Sequence, residues 1–317
     1  MPEAPTVELD AQYRQLRDEC GLLDRGDRGK ILVSGPDAAE YLQGQLTNDI
    51  EALAEEKGCY AALLDRKGHL QSDLRVLRLP NGIWLDLEPG PTPTVLSHLR
   101  TYSVGRDVEV EDVGEAWAIL ALIGPRAAEL AGLEGLGPEH AQRHRRWEGI
   151  EVLGVATALG VDLIARAEDA GRIRGLALAA GAVEVGEEAA EIVRIESGTP
   201  RFGAEMTSET MPAEAGIVDA AVSFTKGCYI GQEPVARLHY KGRPNRHLRG
   251  LELSAPAEPG AELRLGDRTV GAIASSCVSP ARGPIALAIV RREAEPGSEL
   301  AVGEAGVTAR VVDLPFG

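Results

Sequence analysis

The chain has 317 residues, 44% of them hydrophobic, and a formal net charge of -16 at pH 7; that length allows two or three domains around a substantial core. So acidic a chain repels phosphate in the mean, which argues against general nucleic-acid binding, and no apolar run approaches the roughly 18 residues of a membrane-spanning helix. The opening stretch MPEAPTVELDAQYRQLRDEC lacks a basic start followed by an apolar segment, so a cytoplasmic protein is expected.

In chain order, GKILVSGPDAAEYLQGQL reads as a strand and then a helix, with Pro36 suited to the first helical position and Ala38, Leu42 and Leu46 on one face. CYAALLDRKGHLQSDLRVLRLPNGIWLDL reads as a meander of strands, with turns at Asp65–Gly68 and at Pro80–Gly82. A helix over Thr94–Tyr102 and a strand over Asp107–Val110 follow. AILALIGPRAAELAGL then repeats the order strand, Gly124-Pro125, helix, an echo of Gly35-Pro36 that suggests two related units. Further strands run between Gly149 and Ala165. EDAGRIRGLALAAG and GEEAAEIVRIESG read as helices, each stopped by glycine. After Pro244 the texture changes to short strands broken by Gly, Pro and Asp turns, so residues 244–317 are read as a small separate β-barrel or sandwich after a mixed α+β region over 1–243.

Cys20, Cys59, Cys228 and Cys277 lie far apart, with no CxxC pair and no histidine cluster, so no intrinsic metal and no self-held iron–sulfur cluster is signalled. Between Lys226 and Arg249 the chain carries Lys226, Arg237, Lys241, Arg243, Arg246 and Arg249 against Glu233 alone. A basic island in an acidic protein suggests a focused anionic ligand, and a solvated loop and strand edge fits the pattern about as well. Cys228 stands inside it, in KGCYIGQE. Lys226 is two residues away and Arg237 and His239 a little further, and cations lower a thiol's pKa. Gly227 and Gly231 would let backbone amides approach a ligand closely. A buried cysteine in a glycine-rich turn explains the same spacing, and spacing alone favours it.

Two carboxylates complete the candidates. In RIESGTPRFGAEM, Glu196 ends a helix ahead of Gly198, Pro200 and Gly203; it faces either a cleft or solvent, and by itself the solvated reading is the simpler. In DRKGHLQSDLRV, Asp73 interrupts a stretch suited to strand. It lies either on the wet face of a half-exposed strand or in a pocket, where a carboxylate can bind an amidine-like edge or move a proton.

Taken together, RIESGTPRFGAEM, MPAEAGI, KGCYIGQEPVAR, GRPNRHLRGL, GAIASSCVSP and VVDLPF resemble the YgfZ branch of the folate-binding GcvT-like superfamily, which also includes the T-protein aminomethyltransferase of glycine cleavage. KGCYIGQE is specific to the branch; the other stretches mark the superfamily. The resemblance implies an α+β fold of three domains in a ring around a folate-binding hole. Two α+β domains would be interleaved, roughly 1–50 with 112–196 and 51–111 with 197–243, and a C-terminal β-barrel over 244–317 would close the ring. It implies that Glu196 grips the pterin of tetrahydrofolate or a one-carbon derivative, since a carboxylate can accept two parallel hydrogen bonds from the pterin amino group and ring N–H. Asp73 would take the place of the catalytic aspartate, and Lys226, Gly227, Tyr229 and Arg237 would contact the anionic cofactor. Cys228 would be the functional thiol of a folate-dependent factor supporting assembly or repair of iron–sulfur enzymes, with iron–sulfur enzymes or assembly proteins as partners and an indirect effect on tRNA thiolation. The alternatives are an aminomethyltransferase, which moves a methylene group from a lipoyl-bound aminomethyl intermediate to tetrahydrofolate and releases ammonia, and a folate-binding scaffold without chemistry.

Overall fold

The computed structural model describes residues 7–304 and 306–316. Residues 1–6, part of the stretch read for targeting, lie outside them. The chain divides into two compact units: one holds the chain up to Tyr13, Glu187–Val218 and everything from Glu233 onward, and the other holds Arg14–Gly186 with Asp219–Gln232. The fold is α+β, as expected.

The Arg14–Gly186 unit is built on two sheets. A five-stranded antiparallel sheet takes the order Gly58–Leu64, Leu70–Leu79, Gly82–Leu87, Gly29–Ser34, Glu109–Asp112. A six-stranded sheet takes the order Val183–Glu184, Gly21–Asp24, Trp117–Ile123, Gly160–Arg166, Ile150–Thr157, Gln142–Trp147. One face of the first sheet buries Ile31, Val33, Leu74, Val76 and Leu85 against Tyr41, Leu42 and Leu46 of the Ala38–Gln45 region and Val95 and Leu99 of the helix Thr92–Tyr102. Each such side chain removed from water contributes about 1.5–3 kcal/mol. Tyr41 is 1% exposed and its hydroxyl donates to the Leu99 carbonyl at 2.6 Å, which satisfies the one polar atom this core buries with the ring. The two sheets meet through Leu77 and Trp84 on one side and Ile119, Leu153, Val155 and Ile164 on the other.

The two Gly-Pro echoes share a geometry. Gly35 has φ +105° and a Cβ there would stand 2.3 Å from the Asp107 carbonyl oxygen; Gly124 has φ +130° and a Cβ would stand 2.5 Å from that of Glu19. Each follows a sheet strand and precedes a helix, Ala38–Gln45 in one case and the single turn Ala127–Leu130 in the other. Pro36 therefore sits in the turn ahead of the helix; the first helical position belongs to Ala38.

In the other unit, Arg268–Ala272, Glu262–Leu265, Glu299–Val302, Val307–Val312, Arg246–Leu253, Gly283–Arg291 and Ser275–Ser279 form a seven-stranded sheet whose pairings are antiparallel throughout. It surrounds a core of Leu251, Leu263, Val270, Ala286, Ala288, Val290, Leu300 and Val311. The amphipathic helix Glu187–Glu196 buries Ala189, Ala190, Ile192, Val193 and Ile195. No helix among the described residues is long and apolar enough to cross a membrane.

Candidate functional site

Asp73 lies on the strand Leu70–Leu79, whose neighbour Gly58–Leu64 pairs with it antiparallel, Ala62 opposite Asp73 and Tyr60 opposite Arg75. Side chains two apart on a strand share a face, so Tyr60 reaches Asp73 diagonally. Its hydroxyl donates to Asp73 Oδ2 at 2.7 Å, while Asp73 Oδ1 is buried with no hydrogen-bond partner. Burial raises the Asp73 pKa above its ordinary value, opposed by the Tyr60 hydrogen bond and the nearby Arg28 charge. Burial, then the Asp73 charge, raises that of Tyr60 much further. Of the two readings open for Asp73, the structure supports the pocket side: this is a desolvated carboxyl with one oxygen held and one orphaned, and buried polar atoms rarely stay orphaned.

Glu196 is the last residue of its helix and is 5% exposed, which excludes the solvated reading. Tyr13 donates its hydroxyl to Oε1 and Oε2 at 2.9 and 3.1 Å, and Ser279 donates to Oε1. The carboxylate is thus oriented by two hydroxyls of its own unit. Neither Tyr13 nor Ser279 was singled out from the sequence, and neither carried a local signal: they lie 183 and 83 residues from Glu196 along the chain. Tyr60 was missed as well, although the turn at Asp65–Gly68 announced the hairpin that brings it to Asp73.

The cysteines separate cleanly. Cys20 and Cys277 are buried, Cys59 is half-buried and Cys228 is exposed. Burial pushes the thiols of Cys20, Cys59 and Cys277 up to about 11, about 12 and about 12. Those three remain neutral thiols near pH 7. The turn reading of KGCYIGQE is right about the loop, which ends where the helix Gln232–Lys241 begins, and wrong about burial of its cysteine.

The cations around Cys228 are mostly committed. Lys226 is 9% exposed, and its ammonium donates to the carbonyls of Gln43, Leu46 and Asn48 at 2.6, 2.6 and 2.8 Å. It also lies 5.1 Å from the centre of the Tyr229 ring, which is 7% exposed; the Tyr229 hydroxyl is buried without a partner and burial raises its pKa to about 12. Arg237 pairs with Glu233 at 2.6 Å on an exposed helical turn. Arg246 pairs with Glu214 at 2.8 Å and Arg249 with Asp313 at 3.7 Å. Lys241 and Arg243 are exposed and have no ion-pair partner among the described residues. Gly227 is exposed and a Cβ there would meet open space. In the Arg14–Gly186 unit the structure collects Asp73 with Tyr60, and Lys226, Gly227, Cys228 and Tyr229 in one loop; Glu196 belongs to the other unit. No group of three or more His, Cys, Asp and Glu among the described residues is placed to hold a metal ion.

Comparison with known proteins bears on these features. Residues 6–226 match the family model of the GCVT N-terminal domain, and residues 246–316 match that of the glycine cleavage T-protein C-terminal barrel domain. The chain is 31% identical to an aminomethyltransferase of Rubrobacter xylanophilus, over 97% of this chain and 86% of the relative. It is 30% identical to one from Listeria welshimeri, over 97% and 89%. Its fold is that of the glycine cleavage system aminomethyltransferase T crystal structure from Bartonella henselae, with a TM-score of 0.88 at 24% identity, covering 98% of this chain and 89% of the other. The chain belongs to the GcvT-like family of glycine cleavage T-proteins.

Proposed function

We propose that this chain binds tetrahydrofolate and acts as a one-carbon transferase of the aminomethyltransferase kind. The observation that carries the reading is the orphaned, buried Oδ1 of Asp73 beside an Oδ2 held by Tyr60. An N–H donor of a bound ligand would satisfy that oxygen, so the residues present fit a nitrogen-rich cofactor. Bound tetrahydrofolate would supply the nitrogens that accept the one-carbon unit. Asp73, with its raised pKa, can hold or move a proton at Oδ1 nearer neutrality than an exposed aspartate can. Glu196, fixed by Tyr13 and Ser279, is the candidate acceptor for the pterin amino group. The names carried by the relatives above support aminomethyl transfer, in which a methylene group passes from a carrier-bound aminomethyl group and ammonia leaves.

A second reading is favoured by a specific observation, the exposure of Cys228 in KGCYIGQE. On it the chain is a YgfZ-type factor that uses folate and this thiol to support iron–sulfur enzymes, with Asp73 and Glu196 keeping their ligand roles. Lys226 serves less readily as a contact for folate carboxylates, because its three N–H bonds are already directed at carbonyls.

Anaerobic calorimetric titration of tetrahydrofolate into wild type, Glu196→Ala, Asp73→Asn and Cys228→Ala tests both. Binding is expected in wild type and Cys228→Ala, with a loss of about tenfold or more in Glu196→Ala, the cost of a charge-assisted pair. Absence of wild-type binding overturns the folate reading. Loss of glycine cleavage alone on deletion favours the first reading; loss of radical-type iron–sulfur activity, restored by wild type and not by Cys228→Ala, favours the second.

A further inference from the structure

The carbonyls at the end of a helix have no partners within it. At the end of Ala38–Gln45 they are met by residues from far along the chain. Lys226 Nζ takes the carbonyls of Gln43, Leu46 and Asn48, and the Ile230 amide donates to the Gly44 carbonyl at 3.3 Å. The approach to the loop docks on the same segment: the Ser223 amide donates to the Thr47 carbonyl at 3.0 Å, and the Asn48 side chain donates to the Ala220 carbonyl at 3.1 Å. Beyond Ile230 the chain is pressed against the turn at Asp65–Gly68, with a Cβ at Gly231 only 2.4 Å from the Asp65 carbonyl oxygen. Between these points Lys226 and Tyr229 are buried while Gly227 and Cys228 are exposed. The segment is an arch with two pinned feet and the thiol on its crown.

We propose that Lys226 is the positioning residue of the Cys228 arch, its ammonium tying the first foot to the Gln43 carbonyl of the Ala38–Gln45 helix and to the Leu46 and Asn48 carbonyls just beyond its end. Three acceptors matched to three donors make the site selective for a primary ammonium. A planar guanidinium has its donors in a fixed fork and cannot reproduce that convergence. Burial lowers the lysine's pKa to about 8, which still leaves it protonated near pH 7, where the carbonyls hold it. The consequence for function rests on the thiol-dependent reading above; the tether itself does not, and its test uses neither folate nor a client.

The test is hydrogen exchange of the Gly227–Gly231 amides, read beside the alkylation rate of Cys228 and the global unfolding midpoint, in wild type, Lys226→Met and Lys226→Arg. In Lys226→Met the arch amides are expected to exchange about tenfold faster or more, as local opening replaces three buried hydrogen bonds. The alkylation rate of Cys228 should change with it, while the exchange of the Gly58–Leu64 and Leu70–Leu79 strands stays as in wild type. Lys226→Arg should recover only part of the protection. Unchanged arch exchange in a folded Lys226→Met protein overturns the proposal. Should Lys226→Met fail to fold, reductive methylation of wild type decides: Lys226 must react at least about tenfold more slowly than the exposed Lys67 and Lys241, and equal rates overturn the tether. Absence of folate binding in wild type would remove the functional reading and leave these outcomes unaffected.

Discussion

Asp73 and Tyr60 show how far a single residue can be read from sequence. A carboxylate inside a run suited to strand is visible as an oddity, and the hairpin turn at Asp65–Gly68 indicates which strand lies beside it. The register is not visible, because a bulge between Leu63 and Leu64 shifts the pairing by one residue, and a one-residue slip exchanges the faces of a strand. The character of Asp73 follows from burial and is testable through pH. Its folded pKa lies above the ordinary 3.8. Between those two values the folded chain holds a proton that the unfolded chain has released, so wild-type stability falls as pH rises through that window. Asp73→Asn keeps an acceptor for the Tyr60 hydroxyl and does not titrate. The stability of the variant relative to wild type should therefore rise as pH climbs from about 4 through the raised folded pKa, by about 1.4 kcal/mol for each tenfold displacement of proton affinity. Urea midpoints across that range measure it. A difference that does not vary with pH would mean that Asp73 titrates like an exposed carboxylate.

At the scale of elements, the strand and helix pattern was largely legible. The helices ending near Gly181 and Gly198 and the strands of the meander follow from periodicity and turn chemistry, and the β-rich texture after Pro244 from its turn residues. What stayed hidden is where each loop docks. Lys226 looked like a cation for a ligand because its acceptors Gln43, Leu46 and Asn48 lie 183, 180 and 178 residues away. The arch gives a paired prediction. Gly231 has φ +82° and its Cβ position falls on the Asp65 carbonyl, whereas Gly227 has open space around it. Gly231→Ala is expected to cost about 1–3 kcal/mol, since both the backbone conformation and the contact oppose a side chain. Gly227→Ala should stay within about 0.5 kcal/mol of wild type. Denaturant unfolding of the two variants measures the contrast; equal costs would mean that the second foot of the arch is not pinned.

At the scale of the molecule, the composition of units from separated stretches could not be read locally. Residues Asp219–Gln232 join Arg14–Gly186 only through contacts that the folded topology creates. The joining of that unit's two sheets was equally hidden, and it rests on more than apolar packing. Arg75, 9% exposed on the strand Leu70–Leu79, pairs with Asp86 in its own sheet and with Asp162 of the six-stranded sheet at 2.7 Å. Asp86 is fully buried and also takes Arg28. Burial alone would raise its pKa, yet Arg28 and Arg75 together bring it below the ordinary value, so this pairing stabilises the fold above about pH 4 and is lost as acid protonates Asp86. Replacing Arg75 by Met keeps most of the side-chain volume but strips a buried carboxylate of one partner and parts the charged link between the sheets. Breaking one side of a buried pair costs about 3–5 kcal/mol. Arg75→Met should therefore lower the urea-unfolding free energy at pH 7 by about that amount, with a smaller loss once acid carries the pH below the lowered pKa of Asp86, where the protonated carboxyl no longer needs the guanidinium. A loss under about 1 kcal/mol at neutral pH is the behaviour of a solvent-exposed pair, and would leave the Leu77, Trp84 and Ile164 contacts as what holds the two sheets together.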